Sequence, residues 1–302
     1  MSQLSTGAPS PVLRVRLIFF LVIIAYFMDI IDASIVTVAL PSIRVEFAAS
    51  IADSQWIYGA YAITLAGFLL LMGRAGDIYG QKKIFVSGLV IFTIASFTGG
   101  IAPSLISLII SRSVQGIGAA MTTVTAFAIF IRIFPEGPDR NKALGYIVAV
   151  LAGGFAAGAV IGGVLTTFVG WRWVMFINVP IGIVAAILCQ RTFPAGGGYV
   201  QNRHLDIPGA LSVTSGIILL IFGLTNAADP GQGFTSALTY IPLIASVLVL
   251  GLFLRIESRS ASPLMPLSFI RRGSVLTANV LALVLTSVVG GVGFIIPVYF
   301  QN

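Results

Sequence analysis

The chain has 302 residues, of which 57% are hydrophobic and only 9% charged, and a formal net charge of +7. Soluble domains carry nearer about 25% charged residues, whereas apolar runs of about 20 residues, enough to cross a hydrocarbon core of about 30 Å, recur here from end to end. These features exclude a sizeable soluble domain and, because the runs do not alternate, a porin-like barrel; the expected fold class is all-α polytopic membrane protein. The basic balance reads as loop charge that fixes topology, not as a nucleic-acid-binding surface. A single cysteine, Cys189, excludes an internal disulfide framework and any CxxC metal site. The one histidine, His204, falls in a connector, and no HExxH, GxSxG or His–Cys set is present. Neither enzyme chemistry nor a metal or cofactor is therefore expected.

Residues 1–16 are short and polar, and the apolar run after them is too long for a signal-peptide core, so they read as a cytoplasmic tail. Nine spans are predicted, at about 17–40, 55–74, 84–102, 105–131, 143–169, 173–190, 208–226, 238–255 and 274–300. With the N-terminus inside, the cytoplasmic segments hold Arg14, Arg16, Arg74, Lys82, Lys83, Arg132, Arg140, Lys142, Arg191, Arg203, Arg255, Arg259, Arg271 and Arg272, and the opposite side only Arg44 and Arg172. That asymmetry predicts a multi-pass cell-membrane protein with a cytoplasmic N-terminus. Two polar or basic connectors, 191–207 and 256–273, divide the spans into a six-helix bundle (17–190), a pair (208–255) and a last helix (274–302).

The first span carries Asp29 and Asp32, one turn apart on one helix face. A carboxylate at membrane depth costs roughly 2.5–3.5 kcal/mol on insertion scales, so that face must look into protein or a water-filled path. The reading is a titrating site; the alternative is a hydrogen-bonded carboxylate that merely locks the bundle. Counting back from Pro41, Asp32 lies roughly 13 Å from the outer end, and Arg112 in the fourth span lies roughly 12 Å deep by the same rise. The two therefore sit at similar depth, with Gln115 one turn beyond Arg112 on the same face. Between the second and third spans the chain reads GRAGDIYGQKK, in which glycines permit a tight turn and Asp77 is placed to cap a helix start or meet a cation. Trp56, Tyr58 and Tyr61 are candidate cavity aromatics, suited to cations, or interfacial anchors. Glycines inside the spans read first as close-packing positions.

GRAGDIYGQKK resembles the signature between the second and third helices of the major facilitator superfamily, matched by Gly73, Asp77, Gly80, Lys82 and Lys83. RSVQGIGAA resembles the fourth-helix Arg-x-x-Gln-Gly motif, through Arg112, Gln115 and Gly116. DASIVTVALP, QWIYGAYAIT and WRWVMFINVPIG are similar to motifs of its fourteen-helix drug:proton antiporter branch (EmrB/QacA type). GFAAGAVIGG resembles the fifth-helix antiporter signature through Gly154, Gly158, Gly162 and Gly163, with Ala159 where that signature has proline.

The resemblance implies proton-coupled export of small amphipathic or cationic compounds, of the multidrug-efflux and antibiotic-resistance type. In it Asp32, Arg112, Gln115 and Asp29 serve proton or substrate, and the Gly73–Lys83 loop serves the cytoplasmic gate. It also implies protons as coupling ion, the bilayer and a small-molecule substrate as partners, two extra central helices, and truncation after about nine helices, the remainder of the C-terminal half being a possible partner. A uniporter or symporter of the same fold, left open by the missing proline, and a truncated non-transporting protein are the competing expectations.

Overall fold

In the computed structural model the described residues are 11–193, 206–227, 231, 233–260, 263–264 and 273–285. Among them, α1 (Pro11–Phe47), α2 (Ile51–Tyr79), α3 (Gln81–Gly100), α4 (Leu105–Ile133) and α5 (Pro138–Phe168) follow one another through short connectors. α6 (Arg172–Phe176) and α7 (Asn178–Thr192) form one broken span, and α8 (Ile207–Ala227) and α9 (Ala237–Glu257) make a hairpin. Among the described residues, eight helical spans, α6 and α7 together making one, are long and apolar enough to cross a membrane, matching the first eight predicted spans. The ninth is described only as the apolar helix Gly273–Leu285; the rest of that span, His204 and most of both predicted connectors lie outside the described residues. Some helices begin earlier than predicted because capping, which hydropathy does not register, sets their starts. Ser50 accepts from the Asp53 backbone N–H at 3.0 Å, Ser104 and Ser107 form a capping box, and Pro138 opens α5 at a position that needs no donor.

Two apolar clusters make the core. One gathers Ile18, Leu21, Val22 and Met28 of α1 with Phe85, Leu89 and Phe92 of α3 and Ala119 and Phe130 of α4. The other gathers Ile31, Ile35, Ala39 and Ile43 of α1 with Ile57, Leu108, Trp171 and Met175. Asp29 on α1, and Arg112 and Gln115 on α4, fall in the sequence seam between the two, and Asp32 directly follows Ile31, the first α1 residue of the second cluster.

Glycine lets the helices close on one another. A Cβ at Gly118 would lie 2.7 Å from the Phe92 backbone nitrogen of α3, and one at Gly116 would collide with Thr64 and the Tyr61 carbonyl of α2. The α8–α9 hairpin docks on α2, where Thr214 Oγ1 donates to the Gly67 carbonyl at 2.7 Å and Phe222 packs on Trp56 with ring centroids 5.2 Å apart. At one end of the bundle Lys82 Nζ donates to the carbonyls of Gln190 and Phe193, each at 2.7 Å, and Arg14 Nε to that of Thr192 at 3.1 Å. Cations thus satisfy the orphan carbonyls that end α7. At the opposite end Glu46 accepts from Trp171 Nε1 and Arg172 Nη1, at 2.5 and 2.6 Å.

Candidate functional site

The first and fourth helices meet through their charges. Arg112 Nη1 donates to Asp32 Oδ2 at 2.5 Å, and both side chains are 0% exposed. An ion taken from water into a protein interior costs several kcal/mol after relaxation unless its other polar atoms are also met. Here most are. Gln115 Nε2 and Asn178 Nδ2 each donate to Asp32 Oδ1 at 2.8 Å. Gln115 Oε1 accepts from Arg112 Nη1 at 2.6 Å, and Gln115 Nε2 also donates to Ser96 Oγ at 2.9 Å. Arg112 Nε donates to the Ile57 carbonyl at 3.3 Å, and the guanidinium lies 4.3 Å from the centre of the Tyr61 ring. Two buried atoms of the cluster, Arg112 Nη2 and Asn178 Oδ1, have no partner among the described residues.

Five helices build this centre. α1 supplies Asp32, α2 the Tyr61 ring and the Ile57 carbonyl, α3 Ser96, α4 Arg112 and Gln115, and α7 Asn178. One turn before Asp32, Asp29 is half-buried and differently furnished. It accepts from Tyr61 Oη at 2.6 Å and Thr123 Oγ1 at 2.7 Å, two neutral donors, and among the described residues no cation bonds to it. Tyr61 therefore touches both carboxylate sites, through its hydroxyl at Asp29 and its face at Arg112.

The remaining predicted residues lie apart. Asp77, sixteen residues from Tyr61 on α2, is about 24 Å along the helix axis. It does not cap a helix start: it falls in the last turn of α2, and its carboxylate accepts from Gln81 Nε2 at 2.9 Å. The start of α3 belongs to Gly80, whose φ of 99° lets the chain leave one helix and open the next in a single residue. Gly73 sits against Val124, and Lys83 is exposed. Of the aromatics, Tyr61 is buried in the charged centre, Trp56 is covered by Phe222 of α8, and Tyr58 is 46% exposed.

The fifth-helix glycines split three to one. Gly154, Gly158 and Gly162 repeat every fourth residue along the face of α5 that meets α1, where an added Cβ would lie 3.2 Å from Phe27 and Ile30, 2.8 Å from the Ser34 Cβ and 3.1 Å from the Ile35 Cα. Gly163 faces open space instead. We expect Gly158→Ala to cost about 1–3 kcal/mol by overpacking, and Gly163→Ala to be neutral or to gain up to about 1 kcal/mol from helix propensity. Thermal unfolding in detergent distinguishes them; equal costs would show that α5 does not pack through this stripe. α5 runs unbroken through Ala159. The Phe155 carbonyl, the i−4 acceptor of Ala159 in a continuous helix, also accepts Ser34 Oγ at 2.7 Å, so α1 bonds to the carbonyl that a proline at 159 would leave unpaired.

Residues 22–302 match the sequence model of the Major Facilitator Superfamily. The chain belongs to the Major Facilitator Superfamily. Similar curated proteins are a cephamycin export protein from Amycolatopsis lactamdurans, 39% identical over 86% of this chain and 54% of the relative, and a puromycin resistance protein from Streptomyces alboniger, 34% identical over 81% and 48%. A tetracenomycin C resistance and export protein from Streptomyces glaucescens is 32% identical over 93% of this chain and 52% of its own. The chain thus spans about half the length of the curated relatives it matches.

Within this superfamily chain, the sequence reading located Asp32, Arg112, Gln115 and Asp29 but not the function of their neighbours. Asn178 stood inside WRWVMFINVPIG without a role, and Ser96 and Thr123 were not singled out. Their signal was present: a carboxamide and hydroxyls inside apolar spans have to find partners. What was lacking was which span each would face.

Proposed function

We propose that the protein is a proton-coupled exporter, an antiporter of small amphipathic or cationic compounds of the multidrug-efflux type, working in the cell membrane with its N-terminus in the cytoplasm. The observation that carries the reading is the fully buried Asp32–Arg112 pair, furnished by five helices at the seam between two apolar clusters. A proton on Asp32 cancels its charge and loosens its hold on Arg112, so uptake and release of one proton change how α1 and α4 are held together. Asp29, half-buried and bonded only to hydroxyls, offers the negative site for a cationic substrate or a second proton.

The export and resistance activities named for the relatives support the substrate class. In this reading 17–190 is one six-helix wall of the substrate path and the opposing half of the fold is the other, the two rocking about the midplane site. The Gly73–Lys83 segment, which the structure forms as the end of α2, Gly80 and the start of α3 and not as a loop, works the cytoplasmic gate. α8 and α9 are the additional central helices of the fourteen-helix branch. No cofactor takes part and no covalent chemistry is performed.

The test uses inverted vesicles carrying the product of the complete reading frame. An inside-acid pH gradient should drive accumulation of a cationic dye, and a protonophore should abolish it. Accumulation indifferent to the gradient would make the protein a uniporter. Accumulation driven only by the opposite gradient would make it a symporter, and none at all would remove transport from the reading.

A further inference from the structure

Three side chains aim N–H groups at Asp32: Arg112, Gln115 and Asn178. That set suits an ionised carboxylate and leaves the O–H of a protonated one without an acceptor. One of the three must therefore change if Asp32 is to carry a proton. Arg112 has no acceptor atom to offer. Gln115 is held at both ends, and turning its amide over breaks the 2.6 Å bond from Arg112 Nη1 and the 2.9 Å bond to Ser96 Oγ. Asn178 is held at one end only. Its Nδ2 donates to Asp32 Oδ1 at 2.8 Å, while its Oδ1, on a side chain that is 0% exposed, accepts nothing from any described residue. A half-turn of this amide exchanges one unpartnered atom for another and brings an acceptor to the place of the donor.

We propose that Asn178 is the positioning residue that reads the protonation state of Asp32: its N–H donates to the carboxylate, and its carbonyl, after a half-turn, accepts the O–H of the acid. The proton gained on Asp32 Oδ1 is the proton later released; no other covalent bond is made or broken, and the Asn178 N–H bond to Oδ1 gives way to one from the acid O–H to the Asn178 carbonyl. The location gives the switch mechanical meaning. Asn178 opens α7 directly after the break at Ile177, and Pro180, two residues on, cannot donate to the segment before it. The turning amide therefore sits where the sixth span is already interrupted. The charged or titratable groups around Asp32 are Arg112 of α4, Tyr61 of α2 and Asp29 of α1 itself. α3 presents Ser96 and the packed stretch of α5, Gly154 to Gly162, carries no charge.

The inference rests on the reading that Asp32 takes up the coupling proton, and infrared difference spectroscopy between high and low pH on the full-length protein in lipid separates the two. The expected spectrum has a carboxylic-acid carbonyl band that Asp32→Ala removes, and Asn178→Leu shifts that band to the higher frequency of an acid lacking its acceptor. Wild-type protein carrying carbon-13 in its asparagine carboxamides keeps the readout if Asn178→Leu does not fold: a labelled carbonyl should change with pH and be silent in Asp32→Ala. An acid band that Asn178→Leu leaves unmoved, or no labelled carbonyl change, overturns the role of Asn178 alone. Absence of an Asp32 acid band overturns the proton site and this inference with it.

Discussion

Arg112→Met is expected to lower stability by about 3–5 kcal/mol, because it leaves the Asp32 charge buried at 0% exposure with only two amide donors. Asp32→Asn should also be costly, because it leaves the Arg112 cation buried without its counter-charge, even though asparagine keeps an oxygen for Gln115 and Asn178. The informative variant is the double one. A buried pair commonly contributes little over apolar groups of similar volume, whereas one charge left alone is costly. The double variant should therefore be more stable than Arg112→Met, a coupling that a double-mutant cycle isolates. Cys189, the only cysteine in the chain and 0% exposed, makes the measurement simple. A thiol-reactive fluorogenic dye stays dark until the protein unfolds. If the two single costs merely add, the 2.5 Å contact is not an energetic unit. If the double variant approaches wild-type stability, folding does not require the pair, and its presence calls for a functional reason.

The architecture was legible because hydropathy and charge act over whole spans. Eight predicted spans reappear as helices among the described residues; α2 and α5 begin earlier than predicted where the Ser50 cap and Pro138 set their starts, while α1 extends past its predicted span at both ends. The Asp32–Arg112 pairing was legible for a different reason: charges in apolar helices at similar depth have few other ways to be satisfied. Side chains whose role depends on azimuth were not. Gly163 belongs to the same sequence pattern as Gly154, Gly158 and Gly162, yet stands one residue, about a hundred degrees, off the α1 face. Trp56 lies two residues before the exposed Tyr58 and is covered by a helix more than 160 positions later. Asp77 takes its hydrogen bond from Gln81, one turn on, and lies within the field of Arg74, so of the cap and the cation to which charge alone pointed only the cap is missing. Asn178 needed the break in the sixth span to be known before its amide could be aimed at α1.

Asp32→Asn should abolish proton-driven transport, down to the level of vesicles without the protein, while Asp29→Asn should reduce it by no more than about tenfold. The difference follows from what each carboxylate holds. Asp32 is the counter-charge of Arg112, and its protonation alters an ion pair between two helices; an asparagine there is permanently in the neutral state, so the cycle has nothing to discharge. Asp29 holds two hydroxyls, one on each oxygen; asparagine keeps one acceptor oxygen and turns the other into an N–H that the second hydroxyl can accept, so the loss is about one charge-assisted hydrogen bond, roughly 1.5 kcal/mol or tenfold. The separation sharpens when substrate charge is varied. If Asp29 meets the cation, Asp29→Asn should weaken transport of cationic dyes more than of neutral amphipathic ones, and Asp32→Asn should stop both alike. Dye accumulation in inverted vesicles at fixed pH gradient reads all four combinations. Coupled transport surviving in Asp32→Asn but lost in Asp29→Asn would exchange the two roles. The buried pair would then be a structural clamp, and the half-buried carboxylate, held by Tyr61 and Thr123, would be the proton site.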